Sequence, residues 1–118
     1  QLMYLNQPPE AILVINNLMT IGAFHAIREL GLNCPIDVGL IGIDDHDWGD
    51  INTPPLTVIR QPTFDIGVRA AKILINNTKS SQITHEKLDC TLIIRGSCSQ
   101  KCLQKYLEIP PIFTPTED

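Results

Sequence analysis

This chain of 118 residues is short of positive charge, aromatic rings and long apolar runs. Nine lysines and arginines against thirteen acids leave a formal net charge of −4, with a pI of about 5.2. Binding nucleic acid by counterion release needs clustered basic side chains. None is present, so any DNA contact must come from another segment. No window approaches the ~18 consecutive apolar residues that mark a membrane span. The four cysteines (Cys34, Cys90, Cys98 and Cys102) lack Cys-x-x-Cys spacing, and Cys98 and Cys102 have no histidine nearby. That argues against a zinc site or a redox pair. His25, His46 and His85 fall in different elements. No Ser/His/Asp set and no glycine-rich phosphate loop accompanies them. Catalysis, a resident metal and a cofactor are therefore not expected. Gln1 to Pro9 lacks the basic start and apolar core of a signal peptide, and Gln1 is no natural initiator. The expectation is a reduced, cytoplasmic stretch of a longer protein.

What is present is an ordinary globular composition, 43% hydrophobic and 19% charged. The length suits one domain, which at this size buries roughly two-thirds of the surface its unfolded chain exposes. The organising stretch is Val38-Gly-Leu-Ile-Gly-Ile43, an apolar run ending in Asp44-Asp45. Such a run predicts a strand buried on both faces, as in a parallel sheet covered by helices. Its carboxyl end is where open α/β sheets bind ligands.

The rest of the chain fits that plan. After the Pro8-Pro9 connection, Ala11–Ile15 predicts a short apolar strand, closed by Asn16 and Asn17, one of which caps the next helix. From Leu18 to Leu30, Met19, Ala23, Ala26, Ile27 and Leu30 share one face, and Gly31 supplies the stop. A turn around Pro35 leads into the organising strand, giving a β-α-β unit. Asp44 to Pro55 is a polar loop carrying His46, Asp47, Trp48 and Asp50. Leu56–Ile59 predicts a third strand. Thr63 then stands as N-cap of a helix from Phe64 to Asn77 that carries Ile66, Ala70, Ile73 and Leu74 on one face. Asn76 to Thr84 reads as a polar turn, and Leu88 to Ile94 as a last strand ending at Arg95-Gly96. Residues 99–118, with Pro110, Pro111 and Pro115, read as a C-terminal tail with no assigned role. The fold class expected is α/β: three layers, a parallel sheet flanked by helices.

Several stretches together resemble one family. Ala11-Ile-Leu-Val-Ile-Asn-Asn-Leu-Met-Thr-Ile-Gly-Ala23 comes first, followed by Leu30-Gly-Leu32, Pro35-x-Asp37-Val38 and Ile41-Gly-Ile-Asp-Asp45. Thr53-Pro-Pro-Leu-Thr-Val-Ile-Arg-Gln-Pro62, then Gly67 with Arg69-Ala70-Ala71, and the closing Ile94-Arg-Gly-Ser97 complete the series. Over about residues 9 to 98 it resembles the C-terminal effector-binding part of LacI/GalR transcription regulators. The resemblance implies part of a periplasmic-binding-protein-like domain over residues 1–98, closing on a small effector, with a sugar expected. It also implies a homodimer, and operator DNA bound only through an N-terminal helix-turn-helix outside this sequence. Arg60 to Pro62 would cross a hinge, the helix from Phe64 would lie in the other subdomain, and the strand near Leu88 would cross back. The upstream half of the effector domain is not in these residues, so they would hold half a pocket and bind ligand weakly or not at all by themselves.

Four residues are candidates for ligand contact. Asp44 matches the family carboxylate that accepts from ligand hydroxyls; its alternative is a loop acid capping a turn. Asn16 matches a ligand-contacting asparagine, against a helix cap as the alternative, and Asn17 is then the expected N-cap. Trp48 could stack on a sugar face, pack the long loop or sit at a subunit interface. Gln61, in the hinge, could be a polar edge of the pocket or serve only the backbone at the crossover. Ile21 and Phe24 lie off the helix's main apolar stripe and are expected at a dimer interface. Two competing readings are a sugar-binding receptor of a transport system and a phosphotransfer receiver. The Pro-Pro-Leu-Thr-Val-Ile-Arg-Gln-Pro run disfavours the first. The second needs a further strand-end aspartate and a lysine where this chain has Asn16-Asn17 and Arg60.

Overall fold

The computed structural model describes residues 2–76 and 83–98. The expected C-terminal tail, Cys102 and most of the turn before Thr84 lie outside them. The elements are β1 (Ala11–Val14), α1 (Asn17–Glu29), β2 (Gly39–Ile43), β3 (Thr57–Arg60), α2 (Thr63–Asn76) and β4 (Thr91–Ile93).

The four strands form one sheet in the order β1-β2-β3-β4. β1 runs parallel to β2, with Val14 opposite Gly42, and β2 runs parallel to β3, with Ile43 opposite Ile59. β4 is antiparallel to β3, with Arg60 opposite Thr91. The expected parallel sheet therefore holds for three strands and is corrected at the fourth. α2 leaves from the carboxyl end of β3, and β4 begins level with that same end. With no crossover to the far edge, the chain can only return antiparallel.

Helix α1 is delimited by its own sequence. Asn16 is the N-cap: its Oδ1 accepts from the amides of Leu18 at 2.9 Å and Met19 at 3.4 Å. The cap expected at Asn17 thus belongs one residue earlier, because Asn16 still has extended backbone while Asn17 is already helical. The far end closes as a Schellman motif, with Leu32 N–H on Ile27 C=O and Gly31 N–H on Arg28 C=O. Gly31 takes the left-handed conformation this requires, at φ 69°.

The side of α1 that faces the sheet differs from the expectation. Thr20, Phe24 and Ile27 are its buried residues, while Met19 and Leu30 are exposed. Phe24 is a core residue, only 8% exposed, and the dimer contact expected of it is withdrawn. The pivot is Thr20, whose hydroxyl donates to Asn16 C=O at 2.8 Å. With its polar atom satisfied, it lies against Gly42, where an added Cβ would meet Thr20 Cγ2 at 3.3 Å. Helix and sheet approach closely there, and that turns Phe24 inward.

Val14, Phe24, Ile27, Val38, Leu40, Leu56 and Val58 form the core on this side. The other sheet face carries Leu13, Ile41, Ile59 and Leu92, of which Leu13 and Leu92 are about half exposed. α2 has no buried residue. Among the described residues the sheet is covered on one face, two layers where three were expected.

The segment after β4 is sewn into the sheet. Ser97 is fully buried; its Oγ donates to Leu40 C=O at 2.6 Å and accepts from Thr57 N–H at 2.7 Å. Its own backbone donates to Pro55 C=O and accepts from Leu40 N–H. Replacing Ser97 by alanine leaves two buried backbone groups without their partner, at about 1–3 kcal/mol each. Urea denaturation of Ser97→Ala is expected to show a loss of about 2 kcal/mol or more, with the slope unchanged.

Candidate functional site

Because β1, β2 and β3 are parallel, their carboxyl ends share one edge. The register puts Val14 beside Gly42 and Ile43 beside Ile59. Asn16, Asp44 and Arg60-Gln61 consequently leave neighbouring strands at the same level, with roughly 4.8 Å between adjacent strands.

Asp44 takes a left-handed conformation, φ 71°, which aspartate tolerates better than most residues. Its N–H donates to Ile59 C=O at 2.9 Å, extending the β2–β3 ladder by one step. Its Oδ1 accepts from Gln61 Nε2 at 2.8 Å. Oδ2 accepts no hydrogen bond among the described residues. Asn16 uses its amide oxygen for the cap, which leaves its two N–H groups without a partner in the described residues. The edge thus carries an unused carboxylate oxygen just after β2 and unused amide donors just after the neighbouring β1.

Asp45, the next residue, is fully committed. Arg95 grips it with a fork, Nη1 to Oδ1 at 2.7 Å and Nη2 to Oδ2 at 2.9 Å, and Arg60 Nη2 donates to Oδ2 from the end of β3. Arg95 also donates to Leu56 C=O at 2.9 Å. The Arg95 hydrogen bonds, followed by that from Arg60 and the two positive charges, lower the Asp45 pKa to about 2 against an opposing effect of burial. Sequence reasoning points to Asp44 and gives no role to Asp45 or Arg95. The one local signal for Arg95 is the Ile94-Arg-Gly-Ser97 closing motif.

Trp48 is engaged elsewhere. Its Nε1 donates to Asn17 Oδ1 at 3.1 Å, its ring stacks on His46 with centroids 6.2 Å apart, and its C=O accepts from Asn52. It lines a groove with Ile21, Phe24, His25 and Arg28. Of its three expected roles, these contacts serve loop packing against α1. Gln61 meets Asp44, and Ile21 is half-buried beside the groove. No cluster of three or more His, Cys, Asp or Glu side chains able to hold a metal occurs among the described residues. Nor is any described helix long and apolar enough to cross a membrane.

The model of the periplasmic binding protein-like domain matches residues 1–98. The transcriptional repressor CytR of Escherichia coli K12 is 37% identical over 99 residues, covering 82% of this chain and 29% of that protein. The ribose operon repressor of the same strain is 34% identical over 91 residues, covering 75% of this chain and 28% of that protein. The chain belongs to the LacI/GalR family. It represents part of the C-terminal effector-binding region, and it spans less than a third of the length of these curated relatives. Among solved structures, a LacI family transcriptional regulator from Enterococcus faecium with bound ribose superposes with a TM-score of 0.67 at 25% identity, covering 80% of this chain and 36% of that one.

The Asp45 pairing makes stability depend on acid. A carboxyl held below its unfolded value stabilises the fold above that value and loses the contribution as pH falls towards the folded one. With 3.8 unfolded and about 2 folded, the stability gap between the wild type and Asp45→Asn is expected to be constant above pH ~4 and to shrink steadily towards pH ~2. Urea midpoints at half-unit pH steps measure this; a gap independent of pH would remove the ion pair as its cause.

Proposed function

We propose that this chain is the effector-sensing part of a LacI-type repressor, and that Asp44, Asn16 and Gln61 contact a small neutral polyhydroxylated effector, a sugar. The observation that carries this reading is the unpartnered Asp44 Oδ2, held at the strand edge by Gln61 on its other oxygen and flanked by the spare donors of Asn16. A hydroxyl group both donates and accepts, so one sugar hydroxyl can give its proton to Asp44 while accepting from Asn16. The ribose operon repressor and the ribose-bound Enterococcus regulator support the sugar class. Trp48 is left out of the contact set because its ring and N–H already have partners.

The reading includes a homodimer with Ile21 at the contact, and operator binding by a helix-turn-helix outside these 118 residues. The effector acts by preferring one arrangement of the two subdomains, and the response is limited by that difference in affinity. The Arg60-Gln61-Pro62 segment would be where the chain passes from one subdomain to the other.

The test uses a complete repressor, the ribose operon repressor with its matched segment replaced by residues 9–98 of this chain. Operator release by ribose is followed by fluorescence anisotropy. Asp44→Ala is expected to raise the ribose concentration needed for release by about 10- to 100-fold, the equivalent of one charge-assisted hydrogen bond at 1.5–3 kcal/mol. Effector-free operator affinity should be unchanged. Release at the same ribose concentration with and without Asp44 would refute the assignment.

Asn16 needs a substitution that separates its two tasks. Serine caps a helix as well as asparagine but has no amide donors. Asn16→Ser is expected to keep the thermal midpoint of the chain and to weaken ribose response in the same repressor, whereas Asn16→Ala should also lose about 1 kcal/mol of stability.

A further inference from the structure

We infer that Arg95 is a positioning residue for effector recognition: its forked grip on Asp45 holds the strand-end turn in the left-handed conformation that presents Asp44. The inference rests on the assignment of Asp44 to the ligand, and it adds a residue from the far end of the chain to that site.

The argument starts from the backbone. A non-glycine residue at φ 71° sits in a sparsely populated region, and it persists only where its surroundings fix it. Asp44 is fixed on three sides. Its N–H is tied to Ile59 C=O, its side chain to Gln61, and the residue after it is tied through a carboxylate to Arg95 and Arg60. Of these ties, the Arg95 fork is the most rigid. A planar guanidinium making two parallel bonds fixes both the position and the orientation of the carboxylate it holds.

Arg95 is itself anchored independently of that side chain. Its N–H donates to Thr57 Oγ1 at 2.9 Å, and its C=O accepts from the same hydroxyl at 3.1 Å. Two residues on, Ser97 is buried between β2 and β3. The guanidinium is therefore mounted on a fixed base. Only 19% of the Arg95 side chain is exposed, against 56% for Arg60, so Arg95 is the inner of the two partners.

Because the backbone anchors of Arg95 do not involve its guanidinium, the grip can be removed without unthreading Ser97. The experiment is isotope-edited NMR of the chain itself, with no ligand added. In Arg95→Met, Asp44 is expected to lose its left-handed backbone signature (Cα and Cβ shifts and the three-bond HN–Hα coupling), and the Gln61 side-chain amide to lose its hydrogen-bonded shift. The amides of Val14, Phe24 and Leu40 should stay within their wild-type positions. Arg95→Lys keeps the charge and loses the fork, and it should give an intermediate Asp44 signature. If Arg95→Met disturbs the core amides as well, Arg95→Lys and Asp45→Asn carry the test, each expected to move Asp44 and Gln61 alone. Wild-type Asp44 and Gln61 signals in a variant whose Asp45 carboxyl resonance has shifted would overturn the inference. No sugar enters the measurement, so failure of the effector reading in the repressor experiment and failure of this positioning role are separate results.

Discussion

The fold depends on a serine hydroxyl with no access to water. Ser97 bridges Leu40 C=O and Thr57 N–H, and through its own backbone reaches Pro55 and Leu40. β4 is only three residues long and lies at the sheet edge. Such a strand has little to hold it by ladder bonds alone, and the buried serine supplies the missing attachment. Gly96 is part of the same device, since a Cβ there would sit 3.1 Å from Pro54 Cβ and 3.2 Å from Pro55 Cδ. Arg-Gly-Ser is thus one unit: glycine lets the chain pass the prolines, serine locks it, and arginine reaches out.

What it reaches is the second of two adjacent carboxylates with opposite situations. Asp45 is paired with two arginines, whose hydrogen bonds and charges lower its pKa to about 2 against the opposing effect of burial. Asp44 has one amide partner and an oxygen to spare. The division also explains the long loop from Asp44 to Pro55. It is tied down at Asp45 by Arg95, at Trp48 by Asn17 and at Leu56 by Gly49 C=O, so a stretch without regular structure still presents a fixed strand end.

Much of this was legible in the sequence wherever one residue type carries a local rule. The strand at Gly39–Ile43, the helix stop at Gly31 and the placing of Asp44 at a strand end follow from apolar runs, a left-handed glycine and the position of an acid after a strand. The side of α1 that faces the sheet is not legible from apolar spacing, because the buried Thr20 is part of it. A threonine whose hydroxyl bonds back to the preceding turn buries its methyl group like an apolar residue, and periodicity rules that sort residues only by hydrophobicity miss it. The antiparallel β4 and the Arg95–Asp45 fork were illegible for a different reason. The fork joins residues 50 apart and the β3–β4 register joins residues 31 to 35 apart, and nothing local in either segment states the pairing.

That separation also sets which parts of the site can vary together. Asp44 and Gln61 meet directly, so a change in one alters the other at once. Asp44 and Arg95 meet only through Asp45 and the turn between two strand ends, which makes their coupling geometric: the guanidinium adds nothing to the attraction for a neutral ligand, but it fixes the direction in which the free oxygen of Asp44 is offered. A sugar hydroxyl donates along one O–H direction, and a carboxylate displaced by about 1 Å or turned well off that line forfeits much of a charge-assisted bond. On the proposed reading, selectivity at this edge would reside in Asp44 and Asn16, and the precision with which they are presented would be set by the closing Arg-Gly-Ser.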